Sequence, residues 1–328
     1  MSLKRAKITG IGRYLPDYVL TNKEMETMVD TNDEWIRSRT GISERRILKD
    51  PDKATSFMAT EAAKEALADA NVDASEIDVI VLGTVTPDYL FPSTAALVQK
   101  RLGAVNAWGF DLSAACSGFL FALSNGAMMI ESGRARKVLV IGADKMSSIV
   151  DFTDRTTCIL FGDAAGAVVL EEADKGGIID FVHHTDGDEE CSLYQHAGGS
   201  KNPATLETVK NRQHYLTQDG RVVFKKATQG MADVSLEIME RNQLTGDDVA
   251  WLVPHQANLR IIDATARRMG LSTDKVMINI EKFGNTTAAT IPLCLYDWKD
   301  KLNEGDNIIL AAFGGGITWG ATYMQWSK

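Results

Sequence analysis

Apolar and polar residues alternate along most of the chain in blocks that predict helices and strands in turn. Ala54–Ala70 carries apolar residues at helical spacing, and the apolar run Ile77–Gly83 that follows predicts a buried strand. Lys137–Gly142 and Ala164–Leu170 predict two further buried strands. This alternation predicts an α/β protein in which sheets are layered with helices.

The order of these blocks repeats weakly. The first part of the chain contains, in this order, IDVIVLG, then WGFDLSAACSG followed by a helix, then KVLVIG and AAGAVVL. The later part contains corresponding segments in the same order: VAWLVP, then VMINIEKFGNTTAA followed by a helix, then NIILAAF and ITWGATYMQW. The repeat predicts a duplication into residues 1–175 and 176–328, although chance alternation in an α/β protein also produces such a pattern.

The duplication would place Cys116 and Asn285 at the same strand-to-helix corner of their halves, with His255 at the end of a neighbouring strand. Ligands gather at the carboxyl ends of strands in such folds, so the three residues are predicted to meet. A helix start favours thiolate, the nucleophilic form, at Cys116. Taken alone, a free cysteine is more often a small apolar core residue, and that interpretation stays open for Cys116 at this point.

His255 precedes a predicted helix over QANLRIIDATARRMG, whose dipole would keep the imidazole neutral and able to donate a hydrogen bond. The amide of Asn285 can likewise donate to an oxyanion without changing charge. The run Gly314–Gly316 predicts a tight turn whose N–H groups suit an oxyanion hole. In isolation, these features also fit a loop histidine, a capping asparagine and an ordinary turn.

Composition narrows the class of protein. A hydrophobic content of 45% with 7 prolines is typical of a globular chain, and a net charge of −9 disfavours nucleic acid. The four cysteines form no C-x-x-C pair, which favours a reducing cytoplasm. We predict no signal peptide and no membrane span, and Ser2-Leu3 fits a cloning remnant.

Three other patterns resemble a metal site, a dinucleotide-binding site and a protease active site. Gly176–Arg221 is polar and predicted to form irregular flaps, and its potential ligands His183, His184, Cys191 and His196 fit no zinc template, which predicts a solvated surface and no metal. TGIGRYLP lacks the third glycine of a dinucleotide fingerprint and predicts a strand plus loop. His255 lies 139 positions after Cys116, a spacing that papain-like proteases share. The C-G-S-C-W segment of those proteases is missing, but a cysteine hydrolase remains the alternative on chemistry alone.

The chain resembles a thiolase-superfamily condensing enzyme, β-ketoacyl-acyl-carrier-protein synthase III, nearly from end to end. The resemblance is carried by TNDEWIRSRTGISERR, AACSGF, DRTTCILFGDAAGA, PHQANLRI, FGNTTAATIP and AFGGGITWG. Thiolases carry a second cysteine where this chain has Phe313, and elongating ketoacyl synthases have two histidines where it has His255 and Asn285. The resemblance implies an α/β, thiolase-like, duplicated five-layered αβαβα fold.

The resemblance implies that Cys116 takes an acyl group from acyl-coenzyme A and that His255 and Asn285 stabilise the enolate of a decarboxylating malonyl thioester. Gly315 and Cys116 would supply the oxyanion N–H groups, and Phe313 an apolar wall that promotes loss of carbon dioxide. The resemblance further implies that coenzyme A is bound by Trp35, Arg39 and Arg155. It implies that the acyl carrier protein docks on Lys225, Arg260, Arg267 and Arg268, and that Phe91 reaches into the acyl pocket of the partner subunit.

The implied activity is therefore an acyltransferase reaction that starts fatty-acid biosynthesis, with acyl-coenzyme A and malonyl-acyl carrier protein as substrates and no cofactor. The implied assembly is a cytoplasmic homodimer. A related condensing enzyme of secondary metabolism is the nearest alternative. Acyl primers differ by methylenes worth about 1–3 kcal/mol each, so the sequence leaves the preferred primer open.

Overall fold

The computed structural model describes residues 4–187 and 192–328. Ser2, Leu3 and Cys191, which carried minor predictions, lie outside the described residues. The strands are β1 (Arg5–Tyr14), β2 (Tyr18–Thr21), β3 (Glu44–Ile47), β4 (Val79–Gly83), β5 (Trp108–Leu112), β6 (Lys137–Asp144), β7 (Ala164–Ala173), β8 (Gly177–Thr185), β9 (Leu193–Gln195), β10 (Leu216–Gln218), β11 (Trp251–Pro254), β12 (Asn307–Gly314) and β13 (Thr318–Gln325). The α-helices are α1 (Asn22–Met25), α2 (Asp33–Thr40), α3 (Thr55–Ala70), α4 (Thr94–Leu102), α5 (Gly118–Glu131), α6 (Leu206–Lys210), α7 (Gly220–Arg241), α8 (Leu259–Arg268), α9 (Ile280–Phe283) and α10 (Thr290–Trp298).

Two mixed sheets dominate the molecule. The first has the strand order β1-β7-β6-β4-β5, and the second has the order β11-β12-β13-β8. A single parallel bridge between Leu252 and Val276 flanks β11 on its outer side. If this bridge is counted as a fifth position, the second sheet reads β8-β13-β12-β11-Val276 in the reverse direction. Each of these positions then corresponds to one in the first sheet, β1-β7-β6-β4-β5.

Helices cover both sheets in layers. Helices α3 and α4 pack on the outer face of the first sheet, and α7 and α8 pack on the outer face of the second. Between the sheets, α5 and α10 share one core with strands of both, including Phe119, Leu295 and Leu310. The predicted α/β class with a duplicated five-layered αβαβα architecture is confirmed.

The strands β4, β6 and β7 are buried throughout or nearly so, because helices lie on both faces of their sheet. Burial on both faces explains why they appear in the sequence as uninterrupted apolar runs instead of alternating ones. The predicted helix over Ala54–Ala70 is confirmed as α3, with Ala54 as its N-cap and Asn71 in the left-handed region at its end.

Two expectations are wrong. The segment predicted as irregular flaps contains β8, a full strand of the second sheet, and the first two residues of the 22-residue helix α7. Its polar residues concealed the strand: His183 stacks against the rings of Phe121 and Phe181 and is only partly exposed. The strand expected at VMINI is reduced to the bridge at Val276, since the chain turns into α9.

No helix within residues 4–187 and 192–328 is both long and apolar enough to cross a membrane.

Candidate active site

Cys116 lies where the chain leaves β5 and enters α5, at the corner predicted from the sequence. Ala115 adopts a positive φ of 46°, and a 3₁₀ turn over Ala115–Ser117 leads directly into the helix. The β12–β13 hairpin clamps this turn: the Ser117 hydroxyl donates to the Thr318 carbonyl at 3.0 Å, and the Thr318 hydroxyl donates to the Ala114 carbonyl at 2.8 Å. The turn that carries Cys116 is thus fixed by a hairpin about 200 residues further along the chain.

The thiol of Cys116 is only 6% exposed, and this burial decides its ionisation. Burial, with a smaller contribution from the charge of Asp144, raises the pKa of Cys116 to about 12. Its own N–H and the side chain of Asn285 act in the opposite direction but do not compensate. The resting residue is therefore a neutral thiol and not the thiolate expected at a helix start, because desolvation is the largest influence on its pKa.

His255 follows the last residue of β11, and its N–H donates to the Ala311 carbonyl of β12 at 2.7 Å. The imidazole is 3% exposed, and burial lowers the pKa of His255 to about 3. The predicted neutral ring thus has burial as its cause, and helix α8 begins four residues later, at Leu259. Nδ1 lies 2.7 Å from Oγ1 of Thr290, whereas the buried Nε2 has no hydrogen-bond partner among the described residues.

Asn285 is oriented by its own backbone surroundings. Its N–H donates to the Leu160 carbonyl at 2.9 Å, and its carbonyl accepts from Gly162 N–H at 3.0 Å. The side-chain Oδ1 accepts from Thr287 N–H at 2.9 Å. Because the amide oxygen is occupied in this way, the amide NH₂ is left to act as a donor toward the thiol of Cys116.

The predicted convergence occurs. Cys116, His255, Asn285 and Phe313 line one cavity of about 110 Å³. Cys116 lies between strand β5 and helix α5, two residues before the helix, whereas Asn285 lies between the short helix α9 and helix α10, five residues before the latter. The cavity combines a buried nucleophile, a neutral imidazole, an amide donor and an aromatic wall.

A second, larger cavity of about 720 Å³ also reaches Cys116. It is lined by Gly315 and by apolar side chains that include Phe110, Leu112 and Phe121. Its size and lining suit an acyl chain attached to the cysteine sulfur.

The glycine run Gly314–Gly316 forms the predicted turn between β12 and β13. A Cβ on Gly314 would lie 2.8 Å from Cys116 N and 3.0 Å from Ser117 N, so any side chain there would displace the nucleophile turn. Gly315 lies beside this contact and lines the larger cavity. The run thus brings its backbone against the cysteine, as an oxyanion site requires.

A buried carboxylate, Asp144, ties the active-site segments together. Its Oδ1 accepts from Thr84 Oγ1 at 2.9 Å, from Val85 N at 2.8 Å and from Thr86 N at 3.1 Å. Its Oδ2 accepts from the hydroxyl of Thr287, two residues after Asn285. Burial raises the pKa of Asp144, and these hydrogen bonds act against the rise.

Two of the residues predicted to bind coenzyme A meet at a surface cavity of about 990 Å³ lined by Trp35 and Arg155. The Arg155 guanidinium lies 5.7 Å above the Trp35 ring. Arg39 is exposed one turn along α2 but does not line this cavity. Gln218 and Gly220 line both this cavity and the smaller catalytic one, so the two adjoin.

The predicted basic residues share the surface between α7 and α8. Lys225, Arg267 and Arg268 line a groove of about 590 Å³ there. Arg260 stacks over Phe224 at 4.8 Å, and Phe224 lines both the groove and the catalytic cavity. Arg268 also pairs with Asp233 at 3.0 Å, so part of its charge is compensated.

Phe91 lines none of the four cavities above. It is 87% exposed, beside Leu90 at 86% and Tyr89 at 61%. Large apolar side chains on one exposed loop are typical of a contact surface.

Sequence reasoning missed three residues that hold the site: Asp144, Thr290 and the buried Gln256. The Gln256 side chain donates to the carbonyls of Pro254 and Met277 and accepts from Asn279 N–H at 3.1 Å, which fixes the loop after His255. A carboxylate directly after the buried run KVLVIGA was the available signal for Asp144.

No cluster of three or more histidine, cysteine, aspartate or glutamate residues suited to a metal ion exists in the described part of the chain. His184, one of the potential ligands weighed above, instead pairs with Glu237 at 2.7 Å.

Comparison with known proteins gives a consistent result. The family model "3-Oxoacyl-[acyl-carrier-protein (ACP)] synthase III" matches residues 110–187, and the model of its C-terminal part matches residues 239–326. The β-ketoacyl-[acyl-carrier-protein] synthase III of Chlorobium phaeovibrioides is 56% identical, over 98% of this chain and 99% of the relative. That of Porphyromonas gingivalis is 51% identical, over 100% of this chain and 98% of the relative.

Solved structures agree. The 3-oxoacyl-[acyl-carrier-protein] synthase III of Aquifex aeolicus superposes with a TM-score of 0.90 at 45% identity, covering 98% of this chain and 100% of that one. A priming β-ketosynthase from a polyketide biosynthetic pathway superposes with a TM-score of 0.91 at 36% identity, covering 98% and 96%.

Proposed function

The chain belongs to the 3-oxoacyl-[acyl-carrier-protein] synthase III family, and we propose that it condenses a short acyl-coenzyme A with malonyl-acyl carrier protein. The product is a 3-oxoacyl-acyl carrier protein, and the reaction starts fatty-acid synthesis. The observation that carries the proposal is the single cavity lined by Cys116, His255, Asn285 and Phe313. It holds one nucleophile and two neutral hydrogen-bond donors.

In the first step the sulfur of Cys116 attacks the thioester carbonyl of the acyl-coenzyme A. The carbon–sulfur bond to coenzyme A breaks, and the thiol proton leaves with the coenzyme A sulfur. Backbone N–H groups of Cys116 and Gly315 stabilise the oxyanion. The burial that penalises a thiolate does not penalise the neutral thioester, so the acyl-enzyme suits this site better than an ionised cysteine.

In the second step the malonyl thioester loses carbon dioxide, and its electrons form an enolate. His255 and Asn285 donate to the enolate oxygen, where their effect grows as negative charge develops. The apolar ring of Phe313 disfavours the malonyl carboxylate and favours its loss. The enolate carbon then attacks the acyl carbonyl, the carbon–sulfur bond to Cys116 breaks, and the released thiolate takes up one proton from the solvent.

We assign coenzyme A to the cavity of Trp35 and Arg155, with Arg39 at its margin, since an aromatic face and cationic side chains suit a nucleotide phosphate. The acidic acyl carrier protein docks on the groove of Lys225, Arg267 and Arg268, with Arg260 beside it. Phe224 connects that groove to the catalytic cavity.

We further propose that two chains form a homodimer through the exposed Tyr89–Phe91 loop and the edge strand β5, where Trp108 is 58% exposed. An unpaired sheet edge beside an apolar loop favours such pairing. Phe91 would then reach the acyl cavity of the partner. We also propose that the chain divides into two halves between residues 175 and 176, that the protein is located in the cytoplasm, and that the condensation proceeds without a cofactor.

The test separates the two steps. The protein is incubated with acetyl-coenzyme A and with longer primers, and its intact mass is measured before and after malonyl-acyl carrier protein is added. We expect one acyl adduct on Cys116, which is lost on addition of the acceptor together with release of carbon dioxide. Cys116→Ala should form no adduct, whereas Cys158→Ala, which alters another buried thiol, should behave as wild type.

Absence of an adduct with every primer, or an adduct on another cysteine, would contradict the proposal. Turnover of acyl-coenzyme A to free acid without an acceptor would instead indicate a hydrolase. The likeness to a priming β-ketosynthase supports one further candidate, a condensing enzyme that primes a polyketide. A preference for a polyketide carrier protein over the fatty-acid carrier protein would favour it.

A further inference from the structure

The imidazole of His255 presents its two nitrogens to different surroundings. Nδ1 lies 2.7 Å from the hydroxyl oxygen of Thr290, the first residue of α10. Nε2 is buried without a partner among the described residues, and the ring lines the cavity of Cys116 and Asn285. A neutral imidazole carries one proton, so one nitrogen donates and the other accepts. The position of this proton decides whether the ring can donate a hydrogen bond into the cavity through Nε2.

The Thr290 hydroxyl has one proton and two acceptors within reach. It lies 2.7 Å from Nδ1 of His255 and 3.1 Å from the carbonyl oxygen of Thr287. Donation to Nδ1 leaves the imidazole proton on Nε2, facing the cavity. Donation to the carbonyl would require Nδ1–H to donate to Thr290, and Nε2 would then present a bare lone pair.

The distances favour the first arrangement. Contacts of about 2.7–2.8 Å are typical of hydroxyl donors, whereas N–H donors prefer about 2.9–3.0 Å. The shorter of the two contacts is the one to Nδ1. In addition, Asn285 already directs an NH₂ group into the cavity, so a lone pair on Nε2 would leave the enolate with one donor instead of two.

We propose that Thr290 is a positioning residue whose hydroxyl donates to Nδ1 and thereby holds the proton of His255 on Nε2. This inference rests on the proposed function, because the Nε2 proton matters for an enolate and not for the first acyl transfer. Thr290 touches no substrate; it acts through the orientation and tautomer of the histidine.

The first experiment reads the tautomer directly in the wild-type protein. Histidine labelled with ¹⁵N is incorporated, and one-bond N–H couplings are recorded for each of the five histidines. The signals of His255 are assigned by their loss in His255→Asn. We expect an unprotonated Nδ1 and a protonated Nε2; a proton on Nδ1 overturns the inference, and this readout does not depend on any variant of Thr290.

The second experiment uses Thr290→Val, which keeps the shape but lacks the hydroxyl, and Thr290→Ser, which keeps the hydroxyl. Loss of one oxyanion donor lowers a rate by about 10²–10³. Because Thr290→Val weakens the His255 donor, we expect malonyl decarboxylation to fall by about 10-fold or more in this variant. Acyl-adduct formation on Cys116 should stay within about 3-fold of wild type in both variants, and Thr290→Ser should decarboxylate at close to the wild-type rate.

Equal decarboxylation rates in Thr290→Val and wild type would overturn the inference, as would an equal loss in both steps. Failure of the proposed function looks different, because the wild type itself would then form no adduct on Cys116 or release no carbon dioxide.

Discussion

Replacing Gly230 by alanine tests whether the position of Phe313 controls the malonyl step. Gly230 lies in the middle of α7, where a Cβ would be 3.0 Å from Cδ2 and 3.1 Å from Cε2 of the Phe313 ring. Carbon atoms prefer separations of about 3.5–4.0 Å, so the ring must retreat by roughly 0.5 Å. Its backbone cannot follow, because Phe313 pairs with Trp319 across β12 and β13.

The stability change should be small although the steric conflict is real. Overpacking costs about 1–3 kcal/mol, while glycine to alanine within a helix returns about 0.5–1 kcal/mol. We therefore expect Gly230→Ala to unfold at a slightly lower urea concentration than wild type. The active-site effect should be larger, since the displaced ring borders a cavity of only about 110 Å³.

The assay measures each step separately: mass addition to Cys116, and release of carbon dioxide from malonyl-acyl carrier protein. Phe313 does not line the larger acyl cavity, so we expect acylation within about 2-fold of wild type and decarboxylation reduced by about 10-fold, equivalent to about 1.4 kcal/mol. Gly199→Ala, where no atom lies within 4 Å of the added Cβ, is the matched control. The reasoning is refuted if both steps fall together, or if Gly230→Ala has the same effect in a Phe313→Leu background.

Three further predictions concern ionisation, charge and assembly. Burial lowers the pKa of His255 to about 3 and that of His183 to about 4, so between pH 6.5 and 4 only the unfolded chain binds these protons. The free energy of unfolding should therefore fall with falling pH, by up to about 1.4 kcal/mol per pH unit for each histidine, and His183→Gln should remove about half of that slope in urea titrations. Arg267→Glu should raise KM for malonyl-acyl carrier protein at low salt and leave acylation by acyl-coenzyme A unchanged, whereas the distant control Arg136→Glu should alter neither. Phe91→Asp should shift the sedimentation of the protein toward the monomer, and unchanged sedimentation would count against the proposed dimer contact.

Uninterrupted apolar runs within short segments were sufficient to predict the buried strands of the first sheet. The meeting of Cys116, His255 and Asn285 was predicted instead from the repeated order of elements along the chain, together with the tendency of ligands to gather at the ends of strands. Strand β8 was missed because its polar His183 and His184 are accommodated by aromatic rings and by Glu237, which lie far away in the sequence. A segment does not reveal which distant partners will accept its polar groups.

The same limit explains the errors at the site. The helix start beside Cys116 is visible in the sequence, whereas the depth of burial that raises its pKa depends on the whole fold. Thr290 lies in a threonine-rich segment in which no position looks special. Its importance arises from a 2.7 Å contact with a histidine 35 residues earlier in the chain.

The contacts of Asp144 have a practical consequence. Its carboxylate joins the end of β4, the end of β6 and the segment after Asn285, three stretches separated by about 60 and 140 positions along the chain. These stretches are bridged only when the segment after Asn285 has packed against the first sheet, so a chain that lacks this contact does not present the nucleophile and its donors together. A rapid activity measurement during refolding would therefore time the docking of this segment without any spectroscopic label.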